Sequence, residues 1–209
     1  MSLRAEQKEQ TKHAIMNAAL RSLSADRAYG SLSLREVARA AEIAPTSFYR
    51  HFKDLDDLGV HLAKEVAETL VALVRKGREQ MTPEKNLVRS SVDVFLSFLR
   101  EEPAKFRFLM REKSGSSLLI RQEIKKLTRD FISELSDFLV FESRRRNKGI
   151  VEPEIVAECL VNIVFNMGPE FLDSPAEKTD EIYERLVKQL TLVSIGAEAR
   201  AQSRAALRQ

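Results

Sequence analysis

Between Ser31 and Leu58 the chain gathers side chains suited to holding phosphates and reading the edges of bases. Thr46, Ser47, Tyr49, Arg50, His51 and Lys53 follow one another closely, and Ser33 and Arg35 stand a short way upstream. Short hydroxyls contact base edges or phosphates, and an arginine reaches either a guanine edge or a phosphate. Arg50 is open to both roles. Catalytic patterns are missing from the rest of the chain. His13, His51 and His61 are scattered, with no HExxH, no carboxylates at metal-ligand spacing and no glycine-rich phosphate cradle. The expectation is binding and not catalysis, with no metal and no cofactor.

These side chains need two short helices to hold them. Ser33-Leu34-Arg35-Glu36 is a capping box, the serine hydroxyl accepting from the third helical N–H while the glutamate reaches back. Leu34, Val37, Ala38 and Ala41 recur at helical spacing. Glu42-Ile43-Ala44 is short enough only for a tight turn. Pro45 suits a first helical position because it has no N–H to satisfy. Ile43, Phe48 and Phe52 are then left to pack inward while Thr46, Ser47, Tyr49, Arg50 and His51 point outward. That is the pattern of a helix-turn-helix, whose second helix puts its first turn, here Thr46 and Ser47, against base edges. Ser33 and Arg35 are placed to hold the flanking backbone.

Charge agrees with this placement. Residues 1–53 carry nine Lys and Arg against five Asp and Glu, whereas residues 54–209 carry 25 against 26. The basic excess lies where phosphates would be held. At 44% hydrophobic and 31% charged, the 209 residues suit a soluble globular chain. No run of eighteen apolar residues appears, so no membrane span is expected. The charged start MSLRAEQKEQTKHA does not read as a secretory signal. The single cysteine, Cys159, is expected to be a small buried hydrophobe in a protein of a reducing cytoplasm.

Helical periodicity fills the remainder. Residues 4–24 read as a first helix with Ile15, Ala18, Ala19 and Leu23 on one face. Its basic leading turns, Arg4, Lys8, Lys12 and His13, suit either an arm along DNA or a solvated terminus. Asp54 caps a long connecting helix with Leu58, Leu62, Val66, Leu70, Leu73 and Val74 in its stripe. Thr82-Pro83-Glu84 is expected to start the next helix, which carries Val88, Val92, Phe95 and Leu99 and stops at Pro103. A short helix runs from Pro103 to about Lys113, and a long one carries Ile120, Ile124, Leu127, Phe131, Leu135 and Phe138. Pro153 begins another, with Val156, Leu160, Ile163, Val164 and Met167 inside, which Gly168-Pro169 should break or bend. Ser174-Pro175-Ala176-Glu177 reads as a second capping box leading into Ile182, Leu186, Leu190, Val193 and Ala197. The expectation is an all-α chain of about nine helices, with residues 1–54 as a DNA-binding domain and 55–209 as a helical body.

Leu34-Arg35-Glu36-Val37-Ala38, followed by Phe48-Tyr49-Arg50-His51-Phe52-Lys53, resembles the signature of the TetR-type transcriptional regulators. Within that family the likeness is nearest to the FabR and DesT regulators of unsaturated fatty-acid synthesis. It rests on Arg4-Ala5-Glu6-Gln7-Lys8, on APTSFYRHFKDLDDLG, and on Arg111-Glu112-Lys113-Ser114-Gly115-Ser116-Ser117. Glu42 departs from the pattern, which usually has glycine there.

The resemblance implies that Tyr49 and His51 contact phosphates and that Lys53 contacts the backbone. It implies a homodimer through the last two helices, reading a palindromic double-stranded operator. It also implies a ligand cavity among helices bearing Phe95, Phe98, Phe106, Phe108, Phe131 and Phe165, although aromatics at helical spacing also serve as plain core. Arg111, with Arg107, Lys113 and Arg121, would then form a basic mouth for the phosphate-bearing carrier of an acyl thioester, coenzyme A or acyl-carrier protein. The implied function is a cytoplasmic repressor of unsaturated fatty-acid genes, modulated by long-chain acyl thioesters. The rivals are a repressor for another hydrophobic ligand, a ligand-free DNA-binding protein, and an enzyme on a helical bundle.

Overall fold

The computed structural model describes residues 3–23, 27–79 and 86–207, and among them the side chains of all but 73, 74, 76–79 and 205. These residues form nine α-helices and two single 3-10 turns, with no strand among them. The helices are α1 (Leu3–Arg21), α2 (Leu34–Ala40), α3 (Pro45–Phe48), α4 (Leu55–Glu79), α5 (Leu87–Glu101), α6 (Pro103–Glu112), α7 (Leu118–Arg145), α8 (Pro153–Asp173) and α9 (Thr179–Ala206). The all-helical expectation holds. The Thr82-Pro83-Glu84 helix start, Ser24 and the Leu73 and Val74 side chains lie outside what is described; α5 begins at Leu87, its first amides capped by Asn86 Oδ1 at 3.0 and 3.3 Å.

The chain falls into two compact units. The first comprises Met1–Thr69 with Glu102–Leu127, and the second Leu70–Glu101 with Thr128–Gln209. In the first, α1 packs on α2 and α6 and α2 packs on α3. Ile15, Ala18, Ala19, Val37, Ala38, Phe48, Phe52, Leu58 and Leu62 make its interior. Ile43, expected inside, is half-buried.

The helix-turn-helix turn is built from hydrogen bonds. The Ile43 amide donates to the Ala38 carbonyl at 3.0 Å and the Glu42 amide to the Arg39 carbonyl at 3.1 Å. This crossed pair places the residue after the helix end in the left-handed region, and Glu42 sits there at φ 57°. The same pair recurs at Asn147, φ 53°, behind α7.

In the second unit α8 packs along α9, and α5 against both. Phe98, Leu99, Ala157, Val161, Ile182 and Leu186 are buried between them. Three local expectations are corrected here. Pro169 does not break α8, which continues to Asp173; a proline removes one helical hydrogen bond, and the buried Met167, Gly168 and Phe171 around it hold the turn. Ser174 does not cap a helix; it ends α8, and the following 3-10 turn has no side-chain cap. Cys159 is exposed, because α8 buries the face of Ala157, Val161 and Phe165, and position 159 lies across from it.

Replacing Glu42 with glycine relieves a left-handed side chain, about 1–2 kcal/mol, against about 0.4–1 kcal/mol of added unfolded-chain entropy. The expected net is a stabilisation of about 0.5–1 kcal/mol, read as a raised melting temperature. A lowered one would mean that Glu42 makes a contact worth more than its strain.

Candidate functional site

Two sites take shape, one in each unit. In the first, the capping box at α2 is fully formed. Ser33 Oγ accepts from the Glu36 amide at 3.3 Å, and the Ser33 amide and hydroxyl both donate to Glu36 Oε2, at 2.9 and 2.8 Å. Arg27 adds a bidentate grip on the same carboxylate at 3.0 and 2.9 Å. The Ser33 amide and hydroxyl, then Arg27, lower the Glu36 carboxyl to about 2. Ser33 is therefore exposed but its hydroxyl proton is engaged, whereas Arg35 is exposed.

Pro45 opens α3 and Phe48, fully buried, anchors it, which turns its other faces outward. Thr46 and Arg50 are exposed, Ser47 is half-buried, and Tyr49 keeps 63% of its surface while standing edge-on to Phe48 at 5.9 Å. The Lys53 side chain is exposed, and its amide donates to Asp57 Oδ2 at 3.0 Å. Asp54 Oδ1 accepts from the Asp57 amide at 2.8 Å, the cap expected for α4. Thr46, Ser47, Tyr49, Arg50 and Lys53 thus share the short stretch of α3 and its exit.

His51 is half-buried, and its Nδ1 is enclosed with no hydrogen-bond partner among the described residues. Burial, then the nearby Lys8 and Arg50 charges, holds its pKa below the usual histidine value. A neutral ring protonated on Nε2 leaves only a lone pair in the enclosed position and keeps a donor for the outside.

Behind this face stands Tyr29, which residue patterns alone did not single out. It is buried at 3% exposure. Its hydroxyl donates to the Leu55 carbonyl at 2.7 Å, its ring meets Phe108 edge-on at 5.3 Å, and its amide donates to Glu112 Oε1 at 3.3 Å. Burial, then the carboxylates of Asp56 and Glu112, push the phenol well above its usual range. Glu112 is itself 3% exposed, and burial raises its carboxyl against the pull of the Tyr29 amide and Arg111.

The stretch Arg111 to Ser117 belongs to this assembly. Arg111 donates to the Arg27 carbonyl at 3.4 Å, and Arg121 donates to the carbonyls of Gly115 and Ser116. Any side chain at Gly115 would collide with Glu112, 2.0 Å from its carboxylate and 3.1 Å from its Cα. A methyl at Gly30 would come within 2.5 Å of Ser116 Oγ.

The second site is a cavity of about 140 Å³ in the other unit. Phe95, Phe98, Phe131 and Phe165 line it, together with aliphatic residues of α4, α5, α7, α8 and α9, Leu135 and Leu190 among them. Ser91 and Ser194 are the only polar lining residues, and the Ser194 hydroxyl already donates to the Leu190 carbonyl at 2.9 Å. Four of the expected phenylalanines are therefore brought together.

Phe106, Phe108 and Arg111 are not among them. Phe106 and Phe108 are core side chains of the first unit, at 0% and 1% exposure, because the ten residues of α6 turn them against α1 and Tyr29. Arg107 and Arg111 line a separate hollow with Tyr29, Phe108 and Glu112, and Lys113 and Arg121 do not line the apolar cavity either.

Sequence models of two families match the chain: bacterial regulatory proteins of the tetR family over residues 15–60, and the tetracyclin repressor-like C-terminal domain over residues 83–193. Solved structures share the fold at low identity. A TetR-family transcriptional regulator from Syntrophomonas wolfei superposes with a TM-score of 0.72 at 18% identity, over 89% of this chain and 96% of that one. FadR from Bacillus subtilis, in complex with stearoyl-CoA, gives 0.64 at 15% identity over 85% and 98%. AibR, in complex with isovaleryl coenzyme A and operator DNA, gives 0.66 at 16% identity over 86% and 97%.

Exposure divides the face in a testable way. Tyr49→Phe and His51→Ala should weaken binding to a selected DNA site and to random duplex by similar factors, because phosphates carry no sequence. Thr46→Ala or Ser47→Ala should narrow the gap between the two duplexes. Binding isotherms at one fixed salt concentration decide it; a Tyr49 variant that changes base preference and leaves random duplex untouched would reverse the roles.

Proposed function

The chain belongs to the TetR family of bacterial transcriptional regulators, and from that premise we propose that it is a repressor whose hold on its operator is set by an acyl thioester. In this reading residues 1–54 read DNA through Ser33, Arg35, Thr46, Ser47, Tyr49, Arg50, His51 and Lys53. Residues 55–209 take the ligand and the partner subunit, and the protein works in the cytoplasm. The observation that carries the ligand proposal is the cavity wall, with four phenylalanines and only two serines for polar groups. Such a lining accepts hydrocarbon and offers nothing to a charged metabolite. The stearoyl-CoA and isovaleryl-CoA complexes of structures with this fold support it.

Control of unsaturated fatty-acid genes is the finer form of the proposal. The segment that suggested it, Arg111 to Ser117, packs on the Tyr29 connection and does not line the cavity. That segment therefore supports a way of holding the reading unit, and the ligand proposal is stated for acyl thioesters as a class.

Homodimerisation is proposed through α8 and α9. An 18-residue window of α8 has a mean hydropathy of 1.4, apolar enough by length and composition for a membrane span, yet only 39% of it is buried. Ile155 on α8 and Leu192 and Ile195 on α9 are exposed at 56%, 70% and 58%. A second copy covering these helices removes that surface from water, and two-fold symmetry suits a palindromic site.

The test is operator affinity of the full chain, on a site obtained by in vitro selection, with and without acyl-coenzyme A below its micelle concentration. A change of about 5–150-fold is expected, the usual span of such couplings. Unchanged affinity across a range of acyl lengths would remove the acyl reading and leave DNA binding standing.

A further inference from the structure

We infer that the hydrocarbon the cavity takes is compact, about six carbons, and not a long fatty chain. The inference rests on the acyl reading above and narrows its ligand. It follows from the size of the cavity set against the rigidity of its walls. An apolar protein cavity of about 150 Å³ holds one benzene molecule, and this one measures about 140 Å³. At the same density eighteen carbons would need about three times that space.

The walls are not loose side chains that fold aside. Phe98 is 1% exposed and Val161 1%, and behind them on α5 and α9 lie Val92, Leu99 and Leu186 at 0%. Making room for a long chain therefore means moving packed helices, since interiors this dense do not yield one side chain at a time. The cavity meets solvent at Ser91, which lines it and is itself exposed. A longer chain leaves its surplus methylenes there, where they gain little.

A linear six-carbon chain, a branched five-carbon chain and a phenyl ring share the required chemistry. Each is compact and uncharged. The serines, one already bonded to the Leu190 carbonyl, leave room for at most one weak polar contact near the mouth.

The experiment is calorimetric binding of acyl-coenzyme A to the full chain, with acetyl, butanoyl, hexanoyl, octanoyl, dodecanoyl and stearoyl thioesters. Isovaleryl- and phenylacetyl-coenzyme A serve as the branched and ring arms. Affinity should rise about fourfold per added methylene, the equivalent of about 0.8 kcal/mol, up to about six carbons and then level off. Phe95→Ala, which widens the wall at a half-buried position, should move the plateau to longer chains, and Leu135→Phe should move it to shorter ones. A steady rise through stearoyl overturns the inference and leaves the acyl reading intact. A plateau that neither variant moves overturns the assignment of the cavity. Absence of binding at every length overturns both.

Discussion

A carboxylate and a phenol buried side by side hold the DNA-reading unit in place. Glu112 keeps 3% of its surface and has the Tyr29 amide as a hydrogen-bond donor at 3.3 Å. Burying ionisable groups is costly without close partners, and the raised pKa values of both side chains register that cost. In return the connection between α1 and α2 is fixed at three points, to the Leu55 carbonyl at the head of α4, to the Phe108 ring and to Glu112. Gly59 and Gly115 follow from this packing. A methyl at Gly59 would approach the Tyr29 ring to 3.0 Å and Ile120 to 2.3 Å. Arg27, next to Tyr29 in the chain, then reaches Glu36 and completes the start of α2. The orientation of α2 and α3 is thus tied to α6 and to the first turn of α7 through one tyrosine.

What could be read from residue order was what local chemistry decides. Ser33 and Glu36 determine where α2 begins, Pro45 where α3 begins, and Phe48 and Phe52 which face is hidden; all four behave as their types and spacing require. The positive φ of Glu42 follows from the length of the turn. Where tertiary packing decides, residue order misleads. Ser174-Pro175-Ala176-Glu177 has the letters of a capping box, but the chain leaves α8 in extended conformation at Ser174 and the serine never faces the following amides. Pro169 sits inside a helix that its neighbours' burial sustains.

The phenylalanines divide for the same reason. Phe95, Phe98, Phe131 and Phe165 reach the cavity, whereas Phe106 and Phe108 fill the reading unit, and nothing in their spacing distinguishes the two sets. Tyr29 was silent because it lies in a connection, outside any periodic stripe. Its one signal is that a large aromatic precedes glycine in a short linker, and a large aromatic there has to find a core.

Ligand control of DNA binding needs an element whose state both ligands sense. Two helices are shared between the compact units: α4 gives its first turns to the reading unit and Leu70 to the cavity wall, and α7 gives Ile120 and Ile124 to the first unit and Phe131 and Leu135 to the wall. The most direct measurement of that coupling is the affinity of hexanoyl-coenzyme A for the free protein and for the protein saturated with operator. Linkage requires the two affinities to differ by the same factor by which the ligand changes operator affinity, about 5–150-fold. Equal affinities would show that cavity and reading face are not coupled, and would contradict the account.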